Sequence, residues 1–259
     1  MLDDYEQTQF SADGKTRTVF MRGSGPAVIV MTEVPGITPQ VLRFAGWVVD
    51  AGFRVYLPQL FGTPGKPMSV PYALDTLVRA CISREFAVLS MHRSGPVADW
   101  LRALVRQAHA ECGGKGVGAI GMCLTGNFAL SMMLEPALMA PVLAQPSLPF
   151  PISPRHKAAL HVSPVEWQCV RERCAAGDKV LGLRFTHDPY SPSERFETLK
   201  RELGDAFEAI EIDERHAHSQ AMKPAHSVVT THLIDRDGEP TREAARQVIE
   251  FFQSRLLRH

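Results

Sequence analysis

The stretch Gly116-Val117-Gly118-Ala119-Ile120-Gly121-Met122-Cys123-Leu124-Thr125-Gly126 runs straight into Asn127-Phe128-Ala129-Leu130-Ser131-Met132-Met133-Leu134. The first part is an apolar run of strand type, and the second is apolar with helical spacing. A strand that turns sharply into a helix, with a nucleophile-capable side chain at the turn, is a nucleophile elbow. Its flanking residues must be small because the nucleophile sits in a strained backbone and neighbouring side chains would clash. The side chain then projects above the carboxyl edge of the sheet. The backbone N–H of Leu124 falls at a helix start, where free amides and the dipole favour a developing oxyanion. The same position stabilises a thiolate. On this reading Cys123 is a catalytic nucleophile.

Two plainer readings compete. A lone cysteine at a strand end is more often a small buried hydrophobe, and that is the default for Cys81, Cys112, Cys169 and Cys174. The stretch also contains Gly116-x-Gly118-x-x-Gly121, the spacing of a dinucleotide-binding fingerprint. That fingerprint must follow a strand and open a helix. Here the glycines lie inside the apolar run, and Glu111-Cys112-Gly113-Gly114-Lys115 before them reads as a turn. The phosphate-cradle reading fails on context.

Outward from the elbow, apolar runs alternate with helical patterns, which predicts an α/β fold with a mostly parallel central sheet and helices on both faces. Strands are expected at 16–21, 27–32, 53–58, 140–146, 180–185 and 207–212, besides the elbow strand itself. Helices are expected at 39–51, 74–89, 97–111, 127–134, 165–176, 192–203 and 240–257. Residues 62–71 are rich in Gly and Pro and form a surface loop of the kind that borders active sites. No repeat or linker divides the chain, so residues 1–259 read as one domain.

Composition narrows the function. Of 259 residues, 45% are hydrophobic and 22% charged, ordinary for a globular protein. Lys+Arg and Asp+Glu balance at 28 each, so no overall field favours nucleic acid or an anionic membrane. The acidic start Met1-Leu2-Asp3-Asp4-Tyr5-Glu6 does not read as a signal peptide, and no apolar stretch reaches membrane-spanning length. Five cysteines without framework spacing fit a reducing cytoplasm. Neither a cofactor nor a metal is expected.

A cysteine nucleophile needs a base, and the base needs an orienting group. In an elbow architecture these follow in the order nucleophile, acid, histidine, each after a later strand. The strand at 180–185 runs into Thr186-His187-Asp188-Pro189, which puts Asp188 where the orienting carboxylate belongs; the alternative is a turn cap, since Asp before Pro is common there. For the base, His216 and His218 read as solvated loop residues or a weak metal pair with nothing to complete it. His232, inside apolar 228–234, reads as a packed or surface strand residue. The choice lies between His218 and His226, each followed by Ser. Glu33 ends a central strand in Thr32-Glu33-Val34-Pro35-Gly36, near the elbow in space; it either is an exposed loop acid or holds a proton beside the thiol, with the Val34 amide as a second oxyanion donor.

Together these residues resemble the dienelactone hydrolase family of cysteine-dependent α/β hydrolases, and the resemblance covers most of the chain. The family's Glu-bearing strand end matches Glu33. Its Gly-x-Cys-x-Gly-Gly elbow matches Gly121 to Gly126, with Thr125 in place of the first Gly of the pair, a side chain that narrows the turn or lines the site. Its Asp motif matches Asp188. Its Gly-His-Ser motif has two matches, Ala217-His218-Ser219 and Ala225-His226-Ser227. Distance from Asp188 favours His218; distance to the closing helix and position ahead of Val228-Val229-Thr230-Thr231 favour His226, which is the expected base.

The resemblance implies attack of the Cys123 thiolate on an ester or lactone carbonyl and hydrolysis of the acyl-enzyme, with the resting thiol held near Glu33. The family's dienelactone members hold a substrate carboxylate with arginines, one of them four residues past the histidine. That position here is Thr230, or Met222 if His218 is the base, which disfavours dienelactone itself. The expected partner is therefore a small ester or lactone, neutral rather than anionic, in a pocket bordered by residues 62–67 and by the apolar segment after Gln145, with Lys66 as the nearest loop cation. The alternative is a non-catalytic relative that binds a small ligand or senses oxidation through Cys123.

Overall fold

The computed structural model describes residues 2–83, 86, 89–91 and 95–257. It holds one eight-stranded sheet: β1 (Glu6–Ala12), β2 (Lys15–Arg22), β3 (Ala27–Met31), β4 (Arg54–Pro58), β5 (Val117–Met122), β6 (Leu138–Ala144), β7 (Val180–Phe185) and β8 (Phe207–Ile212). The spatial order is β1-β2-β4-β3-β5-β6-β7-β8. β1, β2 and β4 pair antiparallel; every other pairing is parallel. The elbow strand β5 thus lies inside the sheet, between β3 and β6.

The helices are α1 (Pro39–Asp50), α2 (Val70–Ile82), α3 (Val97–Cys112), α4 (Phe128–Ser131), α5 (Pro154–Ala158), α6 (Pro164–Ala175), α7 (Ser193–Leu203) and α8 (Pro240–Leu256). Alternation along the strands decides which helix each face receives. Val28 and Val30 of β3, with Val55 and Leu57 of β4, pack on Phe44 and Val48 of α1 and Val248 and Phe252 of α8. Ile29 and Met31 point the other way, into a cluster with Trp100 and Leu104 of α3, Val170 of α6 and Phe196 of α7. Both faces of the parallel strands are covered, which is why their sequences read as continuous apolar runs.

Several elements differ from the sequence reading, the short helix α5 among those not expected. β1 was not expected, because it is a polar edge strand with mostly exposed residues; Asp13-Gly14, both at positive φ, close its hairpin with β2. α2 starts one turn earlier than expected, with Pro71 in its first turn, and ends at Ile82, where Ser83 turns extended; residues 84, 85, 87 and 88 of the expected helix lie outside the described residues. The helix after the elbow reduces to α4 between two short 3₁₀ turns. Pro136 accounts for the end of the helical run at Leu134, since Glu135 before it is extended (φ −84°, ψ 118°). Residues 228–234 form turns rather than a strand, so His232 is a packed turn residue.

The three glycines of the apparent dinucleotide fingerprint serve packing. A Cβ on Gly118 would sit 2.9 Å from the Phe252 ring of α8, and one on Gly116 2.4 Å from Ala137 O. A Cβ on Gly121 would lie 2.2 Å from Thr125 O, inside the elbow itself. Of the cysteines assigned to the core by default, Cys174 is buried, Cys112 and Cys169 are half-buried and Cys81 is exposed; all five are unpaired thiols. No described helix is long and apolar enough to cross a membrane.

Candidate active site

Cys123 leaves β5 at φ 57°, a left-handed conformation that a non-glycine residue adopts only when its surroundings enforce it. The enforcement is visible. Its carbonyl accepts hydrogen bonds from Gly126 N and Ser147 N, each at 3.0 Å. A Cβ on Gly126 would stand 2.5 Å from Pro146 Cα, so only glycine lets the loop after β6 close on the turn. Thr125 does not line the site: it is fully buried, and its hydroxyl accepts from Met122 N (2.8 Å) and donates to Met31 O (3.0 Å). Its side chain therefore ties the elbow to the end of β3.

The turn after β7 carries Asp188, which is buried. One carboxylate oxygen accepts from Tyr190 N at 2.9 Å, and the other lies 2.6 Å from His226 Nδ1. The His226 ring has Ser147 Oγ 3.4 Å from Nε2, Tyr190 edge-on at 5.5 Å between centroids, and Cys123 as its remaining polar neighbour. Burial works against a charge on this ring. The negative charges of Cys123 and Asp188, and the hydrogen bonds to both, outweigh it and hold the ring well above the ordinary histidine range. His226, not His218, is the histidine brought beside Cys123 and Asp188. His218 lines an adjoining cavity and accepts from Gln220 N through Nδ1 at 3.3 Å.

Glu33 is buried next to this group. Its Oε2 accepts from Ser227 Oγ (2.6 Å) and Gln145 Nε2 (3.1 Å), and its Oε1 accepts from the Thr230 hydroxyl. Ser227 and Thr230 belong to the same loop as His226, so Glu33 moors that loop to the end of β3. Among the described hydrogen bonds none joins Glu33 to the Cys123 thiol, the contact that the family resemblance implies. Gln145, itself at φ 36°, also accepts from Val228 N at 3.4 Å. His232 completes the mooring: Nδ1 accepts from Ser227 N at 3.1 Å, and Nε2 donates to Met222 O at 2.5 Å. Burial keeps this histidine below its ordinary range, which suits an Nδ1 that must accept.

A further support comes from Arg195 of α7, fully buried, whose guanidinium donates to the carbonyls of Pro146, Pro149, His156 and Ala159. Burial, opposed by the charges of Asp188 and Glu194, lowers its pKa to about 9. It fixes the loop that brings Ser147 and Phe150 to the site.

These residues floor a cavity of about 600 Å³ that includes Cys123, Leu124, Glu33, Val34 and His226. Its walls are mainly apolar: Met68, Ala73 and Leu77 on one side, Phe150, Pro151 and Ile152 on another. The segment after Gln145 borders it as expected, although Leu148 itself is buried in the core. The loop at 62–67 does not. Gly62, Thr63 and Lys66 line a separate cavity on the far side of α2, where Lys66 sits over the Tyr72 ring at 4.2 Å. The lysine at the Cys123 cavity is Lys223. Thr230 is fully buried with its hydroxyl on Glu33, so it offers a substrate nothing. Among the described residues no group of three or more His, Cys, Asp or Glu side chains could hold a metal ion.

Comparison with known proteins bears on the whole chain. The model of the dienelactone hydrolase family matches residues 17–256. A carboxymethylenebutenolidase from Pseudomonas sp. is 32% identical over 119 residues, 44% of this chain and 47% of that protein, so the match spans about half the relative's length. The crystal structure of a dienelactone hydrolase from Anabaena variabilis superposes with a TM-score of 0.62 at 13% identity, covering 98% of this chain and 99% of its own. A 2,6-dihydroxy-pseudo-oxynicotine hydrolase superposes at 0.59 with 17% identity, covering 96% of this chain and 68% of its own. At such identities the structural likeness is one of fold.

Proposed function

Because this chain belongs to the dienelactone hydrolase family, we propose that it hydrolyses neutral carboxylic esters or lactones, with Cys123 as nucleophile, His226 as base and Asp188 as its orienting group. The observation that carries this reading is the strained Cys123 at the floor of an apolar cavity, beside a histidine whose other nitrogen lies 2.6 Å from a buried carboxylate.

In this mechanism the raised basicity of His226 lets the ring hold the proton of the Cys123 thiol. The thiolate attacks the carbonyl carbon, and the carbonyl electrons move onto oxygen, where the Leu124 and Val34 amides would receive them. Collapse of that adduct expels the alkoxide, which takes the proton from His226 and leaves an acyl-cysteine. Water then gives a proton to His226 and its hydroxyl to the acyl carbon. The carbon–sulfur bond breaks, the acid departs, and the thiolate is restored beside the imidazolium. Asp188 holds the ring's tautomer and stabilises its charged form throughout.

Neutral substrates are favoured because the walls are apolar and the position of the family's carboxylate-binding arginine is a buried threonine. The test is turnover of a panel of small aryl esters and lactones. Cys123→Ala should lose on the order of 10⁴–10⁶ in rate while keeping its fold by circular dichroism. Retained turnover in Cys123→Ala would contradict the reading. Rapid alkylation of Cys123 in a wild-type protein that turns over none of the panel would instead favour a ligand-binding role.

A further inference from the structure

The cavity at Cys123 opens through a mouth made of large apolar side chains left in water. Val70, Leu74, Ile152, Tyr190 and Met222 line the cavity and are 42–68% exposed. Scattered exposed apolar residues need no explanation, but a cluster continuous with a cavity marks a ligand surface. Helix α2 supplies much of it. Of its 13 residues only Thr76 and Ala80 are buried, while Ala73, Leu74 and Leu77 face the cavity. A helix so thinly packed gains little from the fold for its apolar residues; an apolar ligand seated against it would complete its burial.

The direction of the chemistry says which part of a substrate lies there. In the mechanism proposed above, His226 returns the proton to the leaving oxygen, so the alcohol side must face the ring and the loop that carries it. That loop contributes Met222 and Lys223 to the cavity. The acyl side is left with the remaining walls, the cavity-lining face of α2 and Phe150–Ile152, whose lining residues carry no charge. We infer that these walls form an acyl subsite for an extended apolar chain, so the preferred substrates are neutral esters of medium-chain or similarly long hydrophobic acids rather than compact lactones. This rests on Cys123 as the acyl acceptor, but the shape of the subsite can be probed without turnover.

Methanethiosulfonates provide that probe. The Cys123 sulfur attacks the thiosulfonate sulfur, a mixed disulfide forms, and methanesulfinate leaves. Methyl and octyl reagents are compared by peptide mass at Cys123, each rate normalised to the same reagent with glutathione. Each methylene removed from water is worth about fourfold, so the octyl reagent should label Cys123 at least about tenfold faster than the methyl one. Leu74→Gln and Ile152→Gln, at exposed positions that tolerate polarity, should each cut that ratio severalfold. Ile82→Gln, on the same helix but away from the cavity, should leave the ratio unchanged. In parallel, kcat/KM for 4-nitrophenyl esters should climb from acetate to octanoate.

An octyl-to-methyl ratio near one overturns the subsite even if esters are hydrolysed. So does a high ratio that neither substitution on these walls lowers, since the chain would then lie elsewhere. A high ratio that falls as expected, in a protein that hydrolyses no ester, upholds the apolar subsite and counts against the hydrolytic reading instead.

Discussion

Along one wall of the Cys123 cavity, hydrogen bonds between residues far apart in the chain fix the loop of His226; along the other, α2 rests on the body through buried Thr76 and Ala80, half-buried Leu77 and the Tyr72 hydroxyl. Glu33 and Thr230 are 197 positions apart, Glu33 and Gln145 are 112, and Asp188 and His226 are 38. Buried polar groups of this kind are costly unless every partner is present, so they rigidify what they hold. On the α2 wall the described hydrogen bonds to the body come from Tyr72, whose hydroxyl accepts from Thr63 N and donates to Pro35 O on the side away from the cavity, and the apolar contacts that line the cavity are non-directional. A polar wall with one allowed geometry suits proton transfer, where a displacement of about 1 Å is felt strongly. An apolar wall suits binding by burial, where the chain can be longer or shorter. The contrast assigns chemistry to one side and selection to the other.

The polar wall can be broken in two places with different expected sizes. Asp188→Asn removes the charge that orients and stabilises the His226 ring. Rates of ester turnover should fall roughly 10³–10⁴-fold, with substrate affinity nearly kept. The same substitution should show in stability against pH. A histidine whose folded pKa is raised contributes stability that is complete below its unfolded value and is lost as pH climbs through the folded one. The melting temperature of the wild type should therefore decline on the alkaline side through the range where His226 discharges. In Asp188→Asn, with one negative neighbour gone, that decline should start at the same pH, set by the unfolded histidine, but end at lower pH, so that less stability is lost in total. An unchanged alkaline profile would mean that Asp188 does not support the charged ring.

Glu33→Gln is the smaller break. Glu33 touches Ser227, Thr230 and Gln145 but makes no described hydrogen bond to Cys123, so it acts as a positioning residue. Its replacement should lower kcat by roughly ten- to a hundredfold while KM changes little, because the loop of His226 loses its mooring without losing its members. Ser227→Ala and Thr230→Val should move kcat in the same direction by less. If Glu33 instead serves as a proton store for the thiol, Glu33→Gln will shift the pH–rate profile, and the two hydroxyl substitutions will not reproduce it.

The elbow, the parallel order of the sheet and the positions of most helices were legible because each follows from local pattern. An apolar run closed by Gly121-x-Cys123 leaves few other shapes for the backbone. β1 was invisible because an exposed edge strand carries no apolar alternation to read. The end of the helical run after the elbow had Pro136 as its signal, two residues beyond the apolar run, whereas its break into α4 and two 3₁₀ turns has no local pattern to mark it. Choosing between His218 and His226 was a matter of distance along the chain, since both sit in Ala-His-Ser; the structure separates them because the His226 ring meets Asp188 and Cys123, whereas the His218 ring accepts from Gln220 N. Gln145, Arg195 and His232 were not found as supports, and no local pattern marks them: their partners lie far along the chain or are backbone carbonyls. The loop at 62–67 faces another cavity because α2 stands between it and Cys123, an intervention that a list of strand ends does not reveal.

The measurement that bears most directly on Cys123 as the acyl carrier is the mass of the enzyme stopped in mid-turnover. Wild-type protein mixed with a 4-nitrophenyl ester and quenched in acid within milliseconds should carry one acyl group, and peptide mapping should find it on Cys123. The adduct should appear with the burst of nitrophenol and decay at the rate of steady turnover. Turnover without any acyl group on Cys123, or an acyl group carried on another residue, would contradict the mechanism.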